Sequence, residues 1–187
     1  MTVALRPAVS HAVFAPRAHA VKTRGWASQG SSSSPAYISL SRDHVALFKD
    51  HAGNVLTPID LGRMRLSTQQ AWELAADSLL AEQTDRIEFT VRNSCFALGV
   101  HAPYGLEVKG DKHPPATWLT HPRTFKVLHE HFTQVLEPQN ELVFLTRDHQ
   151  ELFVLDACVP EVRAMFKDAA VLTYSLGFPL NYNASKR

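Results

Sequence analysis

Leu40-Ser41-Arg42-Asp43-His44-Val45-Ala46-Leu47-Phe48 and Leu145-Thr146-Arg147-Asp148-His149-Gln150-Glu151-Leu152-Phe153 share Leu, a hydroxyl residue, Arg-Asp-His and a closing Leu-Phe at matching positions. An internal echo of this kind reveals architecture that single-residue propensities do not. In each copy apolar residues flank a polar Arg-Asp centre, which is the pattern of a β-hairpin with its turn. Two readings of the echo stand: an internal duplication, or reuse of a small hairpin alphabet in which Asp is favoured by its local hydrogen bonding.

Working outward, each copy has a helix near it. Ser67 and Gln70 make a capping box, and Ala71, Leu74, Ala75, Ser78 and Leu79 recur on one helical face with Trp72 beside it. This helix is expected to end near Glu82 to Thr84, with strands at Arg86 to Val91 and Cys95 to Val100. The order then recurs. Thr120 can cap, Pro122 suits a first turn, and Phe125, Leu128, Phe132 and Val135 or Leu136 form the apolar stripe, which Pro138 stops. Strands are expected at Glu141 to Thr146 and Glu151 to Leu155, then a helix from Pro160 to Ala169 and a strand at Val171 to Leu176. Aligning Leu66-Ser67 with Leu119-Thr120 superimposes Trp72 on Phe125, Ala75 on Leu128 and Leu79 on Phe132. The expected fold class is α+β: an antiparallel sheet with helices packed on one face, built from a helix-strand-strand unit that occurs twice.

Composition divides the chain. Asp43 is the first acidic residue, while Arg6, Arg17, Lys22, Arg24 and Arg42 precede or adjoin it. The other 14 basic groups are outnumbered by all 18 acidic ones, so residues 43 to 187 are mildly acidic. That balance argues against a general nucleic-acid binder, which needs a basic footprint to displace phosphate counterions. Residues 1–36, rich in Ala, Ser, Pro and Arg and ending in Ser31 to Ser34 and Pro35, read as a disordered tail or a targeting segment. Residues 37–178 read as a single α+β domain and 179–187 as a C-terminal tail. Two cysteines in 187 residues do not resemble a secreted disulfide framework. No apolar run approaches the length that spans a bilayer. The expected location is therefore cytoplasmic, or an organelle matrix if the source is eukaryotic.

The ten histidines do not make a metal site by spacing: His129 and His131 point to different helix faces, and no pair has knuckle or i,i+4 spacing. Neither a metal nor a cofactor is expected. Cys95 and Cys158 sit in apolar surroundings that suit inert thiols. No Gly-rich phosphate loop, nucleophile elbow or dinucleotide fingerprint is present, so no catalytic residue is assigned and the weight lies against an enzyme. The candidate binding residues fall in two groups. Arg42, His44, Arg147 and His149 sit at the two hairpin tips, where guanidinium planes suit anions. His101, Tyr104, His113 and Trp118 lie in the long connection 101–118, which combines aromatic residues with Gly and Pro and in which only Leu106 to Val108 looks strand-like.

The segment from Thr120 to Asp156, a helix leading into Glu-Leu-Val-Phe-Leu-Thr-Arg-Asp-His-Gln-Glu-Leu-Phe-Val-Leu, resembles small bacterial proteins of unknown function. Its helix-strand-strand order also resembles the layout of secretion-chaperone-like proteins. That resemblance implies a module that binds another polypeptide and has no catalytic centre. The function expected is thus a soluble, adaptor-like or chaperone-like interaction module that binds another protein or a second copy of itself. The alternative is a small enzyme or ligand-binding domain that takes an anionic substrate at the Arg and His tips and the 101–118 loop.

Overall fold

A three-stranded antiparallel sheet opens the fold, with β1 (Val9–Pro16), β2 (Tyr37–Ser39) and β3 (His44–Asp50) in the order β1-β3-β2. The computed structural model describes residues 9–20, 34–82, 87–110 and 112–181. β3 is buried from His44 to Phe48, as a central strand covered on both faces should be. Residues 1–36 are therefore not simply a tail. Val9–Pro16 pairs along β3 from Val9↔Asp50 to Pro16↔His44, and Val9, Ala12 and Phe14 enter the main core. Pro16, at the end of an edge strand, has no ladder hydrogen bond to lose. The remainder of that expectation, residues 1–8 and 21–33, lies outside the described residues.

The second sheet has six antiparallel strands in the order β4-β5-β7-β6-β8-β9. These are β4 (Thr90–Asn93), β5 (Gly105–Lys109), β6 (Leu142–Thr146), β7 (Leu152–Asp156), β8 (Ala170–Ser175) and β9 (Phe178–Asn181). Among the described residues five α-helices accompany the two sheets: α1 (Pro58–Arg63), α2 (Thr68–Ala81), α3 (Cys95–Leu98), α4 (Pro122–Leu136) and α5 (Val159–Met165). The protein is α+β with antiparallel sheets.

Strand alternation decides what covers each face of the larger sheet. Leu142, Phe144, Leu152, Val154 and Leu172 point into the main core, where Phe125, Leu128 and Phe132 of α4 and Ala71, Trp72, Ala75 and Leu79 of α2 meet the inner side of the smaller sheet. Val143, Leu145, Phe153, Leu155 and Val171 point the other way, onto Val159 and Val162 of α5 and Ala97 and Leu98 of α3. The two long helices thus share one side, as expected. The short α3 and α5 cover the opposite side, because central strands that are apolar on both faces need cover on both, while α1 adds Leu61 to the main core. The indole of Trp72 donates to the Thr120 carbonyl at 2.7 Å and ties α2 to the start of α4.

The sequence reading needs three further corrections. Cys95 to Val100 is not a strand but α3 and a turn, opened by the Asn93 side chain accepting from the Cys95 N–H at 2.9 Å and closed by Gly99 at φ +94°. The connection 101–118 is not mainly loop. β5 lies between β4 and β7, and residues 116–120 of the following 3-10 turn (Pro115–Thr120) are buried. At Gly105 a side chain would meet the Val154 carbonyl oxygen at 2.4 Å, so only glycine allows β5 to close on β7 there. Lastly, residues 179–181 are not tail: β9 pairs with β8 from Ser175↔Phe178 to Leu172↔Asn181. Residues 182–187 lie outside the described residues.

Candidate functional site

The link between β4 and β5 is short, ordered and unusually apolar on its outside. The Ser94 N–H donates to the Gly105 carbonyl at 3.0 Å, which closes the ends of the segment on one another. The Ser94 hydroxyl also donates to the Pro103 carbonyl at 3.3 Å. Within the loop, the Leu98 N–H donates to Ser94 at 2.9 Å and the Ala102 N–H to Gly99 at 3.0 Å, while the Asp156 N–H donates to the Tyr104 carbonyl at 2.9 Å. Ala97 and Leu98 anchor the inner face of α3 in the second apolar cluster. Phe96 on α3, and Val100 and Tyr104 after it, are 76%, 85% and 63% exposed. Single exposed apolar residues are ordinary, but three large ones on nine hydrogen-bonded residues make a presented surface. β4 lies alongside as an edge strand exposed along its whole length, with Val91 on it.

The structure disperses some of the candidate residues and gathers others. Tyr104 belongs to this apolar surface, and His101 is exposed in the same link. Trp118 does not face solvent. It is a core side chain edge-on to Phe89, with ring centroids 4.9 Å apart. His113 lies between β5 and the 3-10 turn, its Nε2 3.2 Å from Glu82 Oε1. His113 lines a cleft of about 110 Å³ with Glu82, Glu88, Lys109, Lys112 and Phe89. That volume holds a few heavy atoms, and the two carboxylates offset its basic groups, so it does not favour an anion.

The hairpin tips do meet, but through their histidines. His44 and His149 lie 5.5 Å apart by ring centroids, and Phe14 stacks on them at 4.7 and 5.6 Å respectively. Burial first, then the nearby His149, lowers the pKa of His44 to about 4. The guanidinium of Arg147 turns elsewhere. It is held by both carboxylate oxygens of Glu151 at 2.5 and 2.7 Å and lies over the Phe153 ring, on the face away from the main core. The Arg42 side chain is exposed, and its backbone carbonyl accepts from Arg17 Nε at 2.7 Å. An anion site made of both arginines and both histidines is thus not assembled.

Among the described residues no group of three or more His, Cys, Asp or Glu side chains is placed to hold a metal ion. Among them, too, no helix is long and apolar enough to cross a membrane. Comparison with protein-family models, with curated proteins and with solved structures found no match to this chain. Phe96 and Val100 escaped the sequence reading because a strand was expected there, whereas the helix carrying Phe96 stops at Gly99 and Val100 follows in the turn.

Proposed function

We propose that this protein is a non-enzymatic interaction module that binds another protein through the β4–β5 link. The observation that carries the reading is the outward trio Phe96, Val100 and Tyr104 on a segment whose backbone is hydrogen-bonded into place. Burying a side chain of this kind against a partner is worth about 1.5–3 kcal/mol before the costs of association. An ordered presenting segment lowers those costs, because little chain entropy remains to be lost on binding. The edge of β4 offers unpaired backbone groups beside the same surface, which suits a partner that adds a strand. Both cysteines are free, which supports a reducing, cytoplasmic setting.

The experiment is isolation of tagged wild-type protein and of an F96S/V100S/Y104S variant from the native host under gentle conditions, each with its melting temperature. The reading expects a stoichiometric partner, another protein or a second copy, with the wild type and its loss from an equally stable variant. A partner retained by the variant would remove this surface from the account, and wild-type protein isolated alone would remove the reading.

A further inference from the structure

Two pairs of histidine rings join the three-stranded sheet to its neighbours, one at each end of β1. At the first end His11 lies against His113, ring centroids 4.3 Å apart and planes inclined by 32°. At the other, Phe14 and His44 stack at 4.7 Å, and both meet His149 at the tip of the β6–β7 hairpin. In each pair one histidine belongs to the smaller sheet and the other to a connection of the larger one. His149 holds this place at φ +63°, a left-handed conformation that favours Gly or Asn, so the turn is set against its intrinsic preference to present the ring.

We propose that the pairs His11–His113 and His44–His149 form an acid-sensitive latch that holds β1 and its sheet to the larger sheet when neutral and releases them when protonated.

Stacked imidazoles tolerate each other only while at least one is uncharged, and a proton on a buried ring loses its hydration as well. His44 is almost wholly buried, its Nδ1 3.3 Å from Ser41 Oγ. It faces His149 and Asp43, the latter favouring a proton, while His149 faces His19, which opposes one, and Asp148, which favours one. His11 has Ser10 Oγ 3.2 Å from its Nδ1 and faces His113, Lys49 and His51, which oppose a proton, and Glu82, which favours one. Burial above all, and then the basic neighbours, prevail, so the pKa values of His11 and His44 both lie at about 4. A released histidine titrates near 6.5, so the open form binds more protons between the two values. The latch is at full strength above about pH 6.5 and is lost progressively as the pH falls toward about 4.

Hydrogen exchange of the full chain, read as protection factors from pH 7 down to about pH 4, tests this directly. The expected result is a loss of protection in residues 9–16 at least about a hundredfold greater than in β6 and β7. A variant carrying His11→Phe and His44→Phe, which keeps an aromatic ring but cannot take up a proton, should abolish that difference. Should this variant fail to fold, imidazole NMR titration of the wild type decides. The latch requires His11 and His44 to take up protons over the interval in which β1 opens, and protonation with β1 still protected would overturn it. It would likewise be overturned by loss of protection in β1 and β6–β7 together, by full protection of β1 at the lowest pH, or by unchanged acid opening in a folded variant.

Discussion

The two hairpins that share a sequence do not share a register. In β2–β3, Ser39 faces Val45, which centres the turn on Arg42. In β6–β7, Leu145 faces Phe153, which centres it on His149, two residues later when the matched letters are aligned. Where the first copy has Ala46 the second has Glu151, which supplies a side-chain acceptor. Glu151 accepts from the Arg147 N–H at 3.2 Å and from its side chain, while Asp148 Oδ1 accepts from the Gln150 and Glu151 N–H groups at 2.8 Å. These bonds hold residues 147–151 as a wide turn. In the first copy the Leu40 and Ser41 N–H groups both donate to the His44 carbonyl, at 3.0 and 3.2 Å, and β1 pairs with β3 up to Pro16↔His44. The strand must then begin at His44. Similar letters therefore yield different turns when side-chain acceptors and neighbouring strands differ, and the geometry does not confirm an internal duplication.

The largest expected contrast lies in the closing Leu-Phe pairs. Leu152 is wholly enclosed in the main core, whereas Leu47 belongs to a small cluster with Ala15, Ala20 and Val45. Leu152→Ala should cost about 3–5 kcal/mol and Leu47→Ala about 2 kcal/mol in denaturant unfolding. Equal losses would mean that the two hairpins are energetically alike after all.

Asp148→Ala, which strips two backbone N–H groups of their acceptor, should cost about 1–2 kcal/mol. Burial raises the pKa of Asp148, but the bonds from Glu151 and Gln150 outweigh it and hold the carboxyl below its ordinary value. Its contribution is therefore present above about pH 4 and lost as the pH falls through the lower folded value. Unfolding of D148A and wild type should accordingly converge in acid, and a constant gap would put the effect elsewhere.

Arg147→Ala breaks an ion pair that is half open to water and should cost under about 1 kcal/mol, with a smaller effect in high salt. The smallest change is expected for His149→Asn. It relieves the left-handed strain while losing the ring contacts, for a net effect within about 0.5 kcal/mol at neutral pH. A loss of about 2 kcal/mol would show that ring stacking, not turn preference, dominates the tip.

What could be read from the sequence is where short-range signals agree with tertiary contacts. The Ser67–Gln70 capping box opens α2 as expected, and Phe125, Leu128 and Phe132 are the buried stripe of α4. There the cap is His121 rather than Thr120, whose hydroxyl donates to the Thr117 carbonyl instead. β1 was hidden because a strand of eight residues sits in a leader whose average composition suggests disorder. The centre of β5, Leu106 to Val108, was legible as strand-like, but the Gly and Pro that flank it made the segment read as a loop, although Gly105 is there to admit its neighbour strand. The same two effects obscured the sites. Phe14, which joins the two histidines, lay in the supposed tail, and Phe96 and Val100 lay in a supposed strand. Tyr104, His44 and His149 were legible as candidates, but only the fold shows which of them stand together.

The central claim, that the β4–β5 link contacts another protein, is most directly tested by placing a photo-crosslinking phenylalanine analogue at position 96 in the native host. The same analogue at Lys126, on the exposed side of α4, is the control. A discrete adduct from position 96 that is absent from position 126 is the result predicted. No adduct at 96, or the same adducts from both positions, would contradict it.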